Sequence, residues 1–321
     1  MIAPLPAGRH WLSSLLRFRV TERVLWMFFV LSALPGCVDA AEEPQPPDLP
    51  PTLRVVSHLT FAESDTVLNV APQVRLTDDG RFLIADSREA KVRLYDEDGG
   101  LVWQLGRRGE GPEEFQVPMN AFLTEEGLLF VADAQRGITR WNVGEARVEE
   151  RWDIGAPFTY GAQPLGDTTI VVSGLWMGSG DPLLLHNLDL ATGTVTQRFF
   201  PLPVQNEALR ASSAALGSVA VEVDDDEILA AFSLVDTVYV FSRDGGELLR
   251  RVPVPIPGFP REPDPELEDR PRTEWAAQFR LIRDLHRLPD GSILVQYAVP
   301  GEVDERYGVT VMNEGGDLLE H

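Results

Sequence analysis

The string GRFLIADSREAKVRLYDEDGGLVWQLGRRGEGPEEFQVP occupies residues 80–118, and its opening returns in looser form as GLLFVADAQRGITRWN from Gly127, 47 residues on. In each copy an apolar run leads to an Asp (Asp86, Asp133), then a short polar loop, a second apolar run and a polar turn. Runs this short, separated by turn residues, read as strands of a β-meander. A meander cannot bury both of its faces alone, so a repeated one stacks against its own copies. The repeat therefore predicts an all-β chain built from equivalent sheets.

Counting outward from the repeat gives five four-stranded meanders, at 69–106, 117–154, 158–200, 217–254 and 279–320. The fourth is the clearest, with VAVEV, EILAAFS, TVYVFS and ELLRRVPV separated by Asp, Gly and Arg turns. One further strand is expected over Leu53–Phe61 (LRVVSHLTF). No amphipathic helix of useful length competes with these strands.

The segments GRFLIAD, VRLYDEDGG and GRRGEGPEEFQVP, taken in order, resemble the repeat of NHL-type β-propellers, in particular the bacterial six-bladed propeller lipoproteins. Gly80, Ala85, Asp86, Val92, Tyr95, Asp96, Gly99, Gly100, Gly106, Gly109, Gly111, Pro112, Phe115 and Pro118 carry the likeness, while Glu113 stands where a glycine usually follows the proline. The second copy keeps Gly127, Ala132, Asp133 and Ile138. The resemblance implies a β-propeller of four-stranded blades, six in number, of which five are visible in the sequence. An N-terminal strand that joins the last blade would close the ring and leave no open sheet edge. Little function travels with the fold, because propellers serve many ligands.

The first 36 residues carry an address. Arg9, Arg17, Arg19 and Arg23 precede the uncharged run Val24–Leu34 (VLWMFFVLSAL), too short to span a bilayer and of signal-peptide length. It ends at Leu34-Pro35-Gly36-Cys37, which resembles the lipobox of bacterial lipoproteins. That likeness implies lipidation of Cys37, the chain's only cysteine, after removal of residues 1–36. Residues 37–52, proline-rich and acidic, read as an extended tether, and residues 53–321 as the propeller domain. Val38 and Asp39 do not match the familiar inner-membrane retention signal, which points to the outer membrane of a two-membraned envelope.

Removing residues 1–36 deletes four arginines and one glutamate, so the formal net charge moves from −22 to −25. A body this acidic is repelled by nucleic acid and by anionic membrane surfaces, so membrane contact is expected through the lipid anchor alone. A single cysteine leaves no intramolecular disulfide. The remaining acidity reads as a solvated surface.

Consecutive strands of a meander run in opposite directions. The loops from strand two to three and from strand four to the next blade therefore open on one face of the ring. The longest loops in the chain are of these two kinds, and localised function is expected there. Arg88, Arg136, Arg210, Trp176, Met177, Phe259, Trp275 and Arg306 fall on that face. Arginine and aromatic side chains suit a protein, peptide or glycan partner, because rings stack and guanidinium groups pair with oxygens. The ligand-binding candidates are Arg88, Arg136, Trp176, Trp275 and His286, the last on a predicted innermost strand, RLIRDLHRL, that can face the central channel. The competing reading of each is structural: arginines offset acidic surface and tryptophans pack loops onto blades.

Catalytic and metal constellations are not legible. No H-x-H or H-E-x-x-H spacing occurs, so no metal ligands and no cofactor are assigned. The acidic runs Asp224–Asp226 and Glu262–Asp269 lack a calcium-loop spacing and read as turns. Gly106–Gly111 (GRRGEG) lacks the G-K-S/T ending of a phosphate loop, and no G-x-S-x-G elbow is present. Two functions stay open: an envelope-anchored binding or scaffold module, and a channel-centred hydrolase or lyase, with or without a metal, that uses His286 with carboxylates such as Asp284. A closely spaced His/Asp/Glu cluster in a polar channel would favour the second; an exposed aromatic patch over an unclustered channel would favour the first.

Overall fold

Each meander is an antiparallel four-stranded sheet with strands in sequence order. The computed structural model describes residues 73–320, apart from 78, 125–126, 157, 179, 205–209, 211–212, 214–216, 225, 245, 260–279 and 300–305. The first blade comprises β1 (Gln73–Leu76), β2 (Phe82–Asp86), β3 (Lys91–Tyr95) and β4 (Leu101–Leu105). The second comprises β5 (Pro118–Leu123), β6 (Leu128–Asp133), β7 (Gly137–Asn142) and β8 (Arg147–Trp152). In the third, β9 (Phe158–Pro164), β10 (Thr169–Trp176), β11 (Leu183–Asp189) and β12 (Thr194–Pro201) follow. β13 (Val219–Val223), β14 (Glu227–Phe232), β15 (Thr237–Ser242) and β16 (Leu248–Pro253) form the fourth. The fifth is β17 (Ile282–Arg287), β18 (Ile293–Val299), β19 (Arg306–Met312) and β20 (Leu318–Glu320). The strand predicted over Leu53–Phe61 lies outside the described residues.

The first strand of each blade is innermost: β1 neighbours β5, β5 neighbours β9, β9 neighbours β13 and β13 neighbours β17. The second and third strands carry the apolar load, as in β2, β6 and β14, where nearly every position is buried. Being apolar on both faces, these strands pack on the blade before and the blade after. Four apolar clusters result, one at each junction from the first blade to the fifth. Among the described residues no such cluster joins the fifth blade to the first.

The repeated Asp proves to be a turn-former. Asp86 Oδ1 accepts from the backbone N–H of Arg88 at 3.0 Å and of Glu89 at 2.9 Å. Its other oxygen pairs with Arg93 at 2.9 Å, both side chains fully buried. Asp133 accepts from Gln135 N at 3.0 Å and also ties in the incoming linker, through Gln116 N at 2.7 Å and Val117 N at 3.1 Å. In the fourth blade Ser233 makes the equivalent bond, its hydroxyl accepting from Ser218 N at 2.9 Å.

The glycine-rich linker from blade one to blade two is a packed latch. Gly106 adopts φ +82°, and the ring of buried Phe115 lies where a Cβ would go. Phe115 then packs on Trp141, centroids 5.0 Å apart. Arg108 donates to the carbonyls of Ser87, Arg88 and Gln116, and Arg107 to the Glu114 carboxylate at 2.7 Å. Both guanidinium groups thus hold the linker in place.

Candidate functional site

The innermost strands enclose a polar channel, and their pleat decides what faces it. A cavity of about 700 Å³ is lined by Gln73, Asn120, Gln163, Ser173, Asp284 and His286 among others, and reaches the strand two-to-three loop at Ser87. It opens on the loop-rich face. A second cavity of about 340 Å³ continues past Arg75 and Glu222 towards the opposite face.

Amide side chains stitch the inner strands together. Asn120 donates to Gln73 across the first two blades and accepts from Ala162 N at 3.2 Å on the third. Gln163 donates to the Val221 carbonyl and accepts from Val223 N at 3.3 Å, which joins the third blade to the fourth. These groups set the channel's shape.

An ionic group remains at its centre. His286 Nε2 lies 3.4 Å from Asp284 Oδ2, its Nδ1 3.9 Å from Glu222 Oε2, and the imidazole is 49% exposed to the channel. The hydrogen bond to Asp284 raises the His286 pKa above its ordinary value, against burial and the Arg75 charge, with Glu222 adding to the rise. Burial raises the Glu222 carboxyl as well, opposed by His286 and Arg75. Burial lowers the guanidinium of Arg75, which both carboxylates oppose. His286 and Glu222 thereby keep their protons to higher pH than the free side chains do. Among the described residues no group of three or more His, Cys, Asp or Glu could hold a metal ion.

The predicted site residues are scattered. His286 lies in the channel. Arg88 is exposed on the loop-rich face. Arg136 donates to the carbonyls of Gly111 at 2.7 Å and Glu114 at 2.9 Å, a brace for the latch. Trp176 is half-buried with the Arg198 guanidinium 4.7 Å from its ring centroid, beside the exposed Met177. Trp275 and Cys37 lie outside the described residues. Arg75, Glu222 and Gln163 were not singled out from the sequence. The signal available was the recurrence of polar residues on first strands, unreadable until the pleat shows which of two alternating sets faces inward.

His186 is a different case from His286. It is fully buried, bonded to the Gly174 carbonyl at 2.9 Å through Nε2 and met by Arg198 at 3.0 Å on Nδ1. Burial lowers its pKa to about 4. It stays neutral and structural.

Comparison with known proteins agrees with this architecture. Residues 52–157, about a third of the chain, match a family model described as a 6-bladed beta-propeller. The chain is 25% identical over 140 residues to the human E3 ubiquitin-protein ligase NHLRC1, covering 43% of this chain and 34% of the relative. It therefore spans about a third of the length of that curated relative. A candidate exported protein of Bacteroides fragilis superposes with TM-score 0.56 at 13% identity, over 81% of this chain and 73% of that one. A member of the DUF4221 family from Bacteroides vulgatus gives 0.53 at 10% identity, over 78% and 80%. At such identities the two structures speak for the fold alone. The chain is an all-β propeller of NHL-like four-stranded blades, similar over residues 52–157 to the six-bladed propeller family.

Proposed function

We propose that the protein is a binding module of the cell envelope, whose propeller takes up part of a protein, peptide or glycan partner at the loop-rich mouth of its channel. The observation that carries this reading is the cavity of about 700 Å³ at that mouth, lined by amide, hydroxyl, carboxylate and imidazole groups. A concave site with convergent polar groups is the usual form of a ligand pocket. Residues 1–36 act as a lipoprotein signal, Cys37 carries the lipid, residues 37–52 span from lipid to domain, and the outer membrane is the expected address. The exported description of the Bacteroides fragilis neighbour is in keeping with this.

The test is capture from envelope extracts of the full-length protein beside a Glu222→Gln, Asp284→Asn, His286→Gln variant with an unchanged melting temperature. A partner held by the first and lost by the second supports the reading; equal capture by both contradicts it. Mass spectrometry of the same material is expected to show a diacylated N-terminal Cys37, absent from a Cys37→Ala variant.

The second reading, a hydrolase or lyase, is favoured by one observation. His286 stands between two carboxylates, and both it and Glu222 have raised pKa values, the arrangement a proton-transferring pair requires. Turnover of a small substrate that is lost in His286→Gln while binding persists would establish it.

A further inference from the structure

The third and fourth blades meet differently from the first and second. In every blade the pairing of third and fourth strands shifts register at one place, directly after Leu94, Arg140, Asn187, Val240 or Val311. These five residues are therefore equivalent. Blades one and four carry Leu94 and Val240 there, fully buried and packed on the following blade. Blade three carries Asn187, only 5% exposed. Its cross-strand partner is Gln197, where blade one has Trp103. From the facing blade comes Arg243, directly after β15, where the second blade has Val143 directly after β7. Leu94, Trp103 and Val143 fill the first cleft with apolar groups. Asn187, Gln197 and Arg243 instead surround a cavity of about 430 Å³. It opens on the hairpin face, at the β9–β10 and β15–β16 turns, and shares no lining residue with the channel.

Burying a carboxamide where the repeat holds an apolar side chain costs free energy unless both of its ends are bonded. Asn187 Nδ2 donates to Gln197 Oε1 at 3.2 Å, but among the described residues Oδ1 has no hydrogen-bond partner. In the next cleft the polar groups satisfy one another, with Arg287 paired to Asp224, Glu227 and Glu314. A departure from the repeat that the protein does not compensate internally is the signature of a functional position. The walls then select the ligand. Arg243 and Asp244 leave no net charge, and the guanidinium is engaged by the carbonyls of Leu165 at 2.8 Å and Asp224 at 3.1 Å. Leu165 is the one apolar side chain among the lining residues. The rest are two carboxamides and the hydroxyls of Thr169 and Thr196, the latter donating to the Asn187 carbonyl at 3.2 Å. Such groups both donate and accept, which matches an uncharged, hydroxyl-rich molecule. We propose that this cleft binds a small free sugar or polyol, with the Asn187 carboxamide as its deepest contact.

Saturation-transfer NMR on the full-length chain, with a panel of free hexoses, N-acetylhexosamines and hexitols, tests this. At least one member is expected to bind. Asn187→Leu, which gives blade three the side chain of blade one, is expected to weaken that binding ~10-fold or more without lowering the melting temperature. Thr169→Val, at the rim of the cleft, supplies a second variant and is expected to weaken it as well. The Glu222→Gln, Asp284→Asn, His286→Gln variant is expected to bind as the native chain does, because the cleft is separate from the channel. Any of three results would overturn the proposal. The first is no binding by any member of the panel. The second is native-like binding by Asn187→Leu and Thr169→Val, which would leave Asn187 the anchor of a structural water only. The third is binding lost in the channel variant, which would place the sugar in the channel.

Discussion

At Gly106 two demands coincide, a positive φ of +82° and the Phe115 ring in the place of a side chain. Gly106→Ala is expected to cost about 2–4 kcal/mol, from backbone strain and overpacking together. Phe115→Ala, which empties the same latch, is expected to cost about 3–5 kcal/mol. Denaturant unfolding measures both. His186 gives a pH signature. Its folded pKa of about 4 lies below the ordinary 6.5, so the unfolded chain binds the proton more tightly. The resulting stability is full above pH 6.5 and fades as pH falls towards 4, by up to ~3 kcal/mol. Unfolding midpoints between pH 4 and 7 should therefore fall less steeply in His186→Gln than in the native chain. The channel residues carry the opposite sign. Burial raises Glu222, and the hydrogen bond to Asp284 with the nearby carboxylate charges raises His286 against burial; the two groups face each other, Asp284 and Arg75. Their contribution is full below the ordinary values of 4.5 and 6.5 and weakens as pH rises through the folded ones. A Glu222→Gln, His286→Gln double variant should show a flatter stability profile from pH 5 to 8.

At the scale of strands and turns, the residue that ends the second strand or directly follows it governs how the incoming linker is fastened to its blade. Asp133→Ala leaves the N–H groups of Gln116 and Val117 without their acceptor and is expected to cost about 2–4 kcal/mol. Ser233→Ala, which removes the acceptor of the Ser218 N–H, is expected to cost about 1 kcal/mol. Equilibrium unfolding of the two variants compares them. This contrast explains what was legible in advance. The repeat exposes Asp86 and Asp133 as structural because the same residue recurs at the same place, and the five meanders follow from the turns that separate them. Ser233 does the same job with a different residue, so recurrence conceals it. Glu222 is one position of the alternating run VAVEV, and its companions Arg75, Asp284 and His286 lie on strands distant in sequence. Nothing local marks them as neighbours. Arg136 reads equally well as ligand-binding or as a brace until the carbonyls of Gly111 and Glu114 are found in its reach.

On the scale of the whole molecule, the blades supply stiffness through four apolar junctions, and the channel holds the mobile charge. Arg75, Glu222, Asp284 and His286 converge at the centre of the ring, where the loop-rich mouth gives access. If the mouth is where a partner binds, its position can be read directly in cells by photo-crosslinking. Probes replace Met177, Ser218 and Gln296 around the mouth, and Asp167 and Asp290 in the hairpins of the opposite face. Adducts from the mouth positions, with none from the opposite hairpins, are the predicted result. Adducts from Asp167 and Asp290 alone, or from all five alike, would contradict a binding site at the channel mouth.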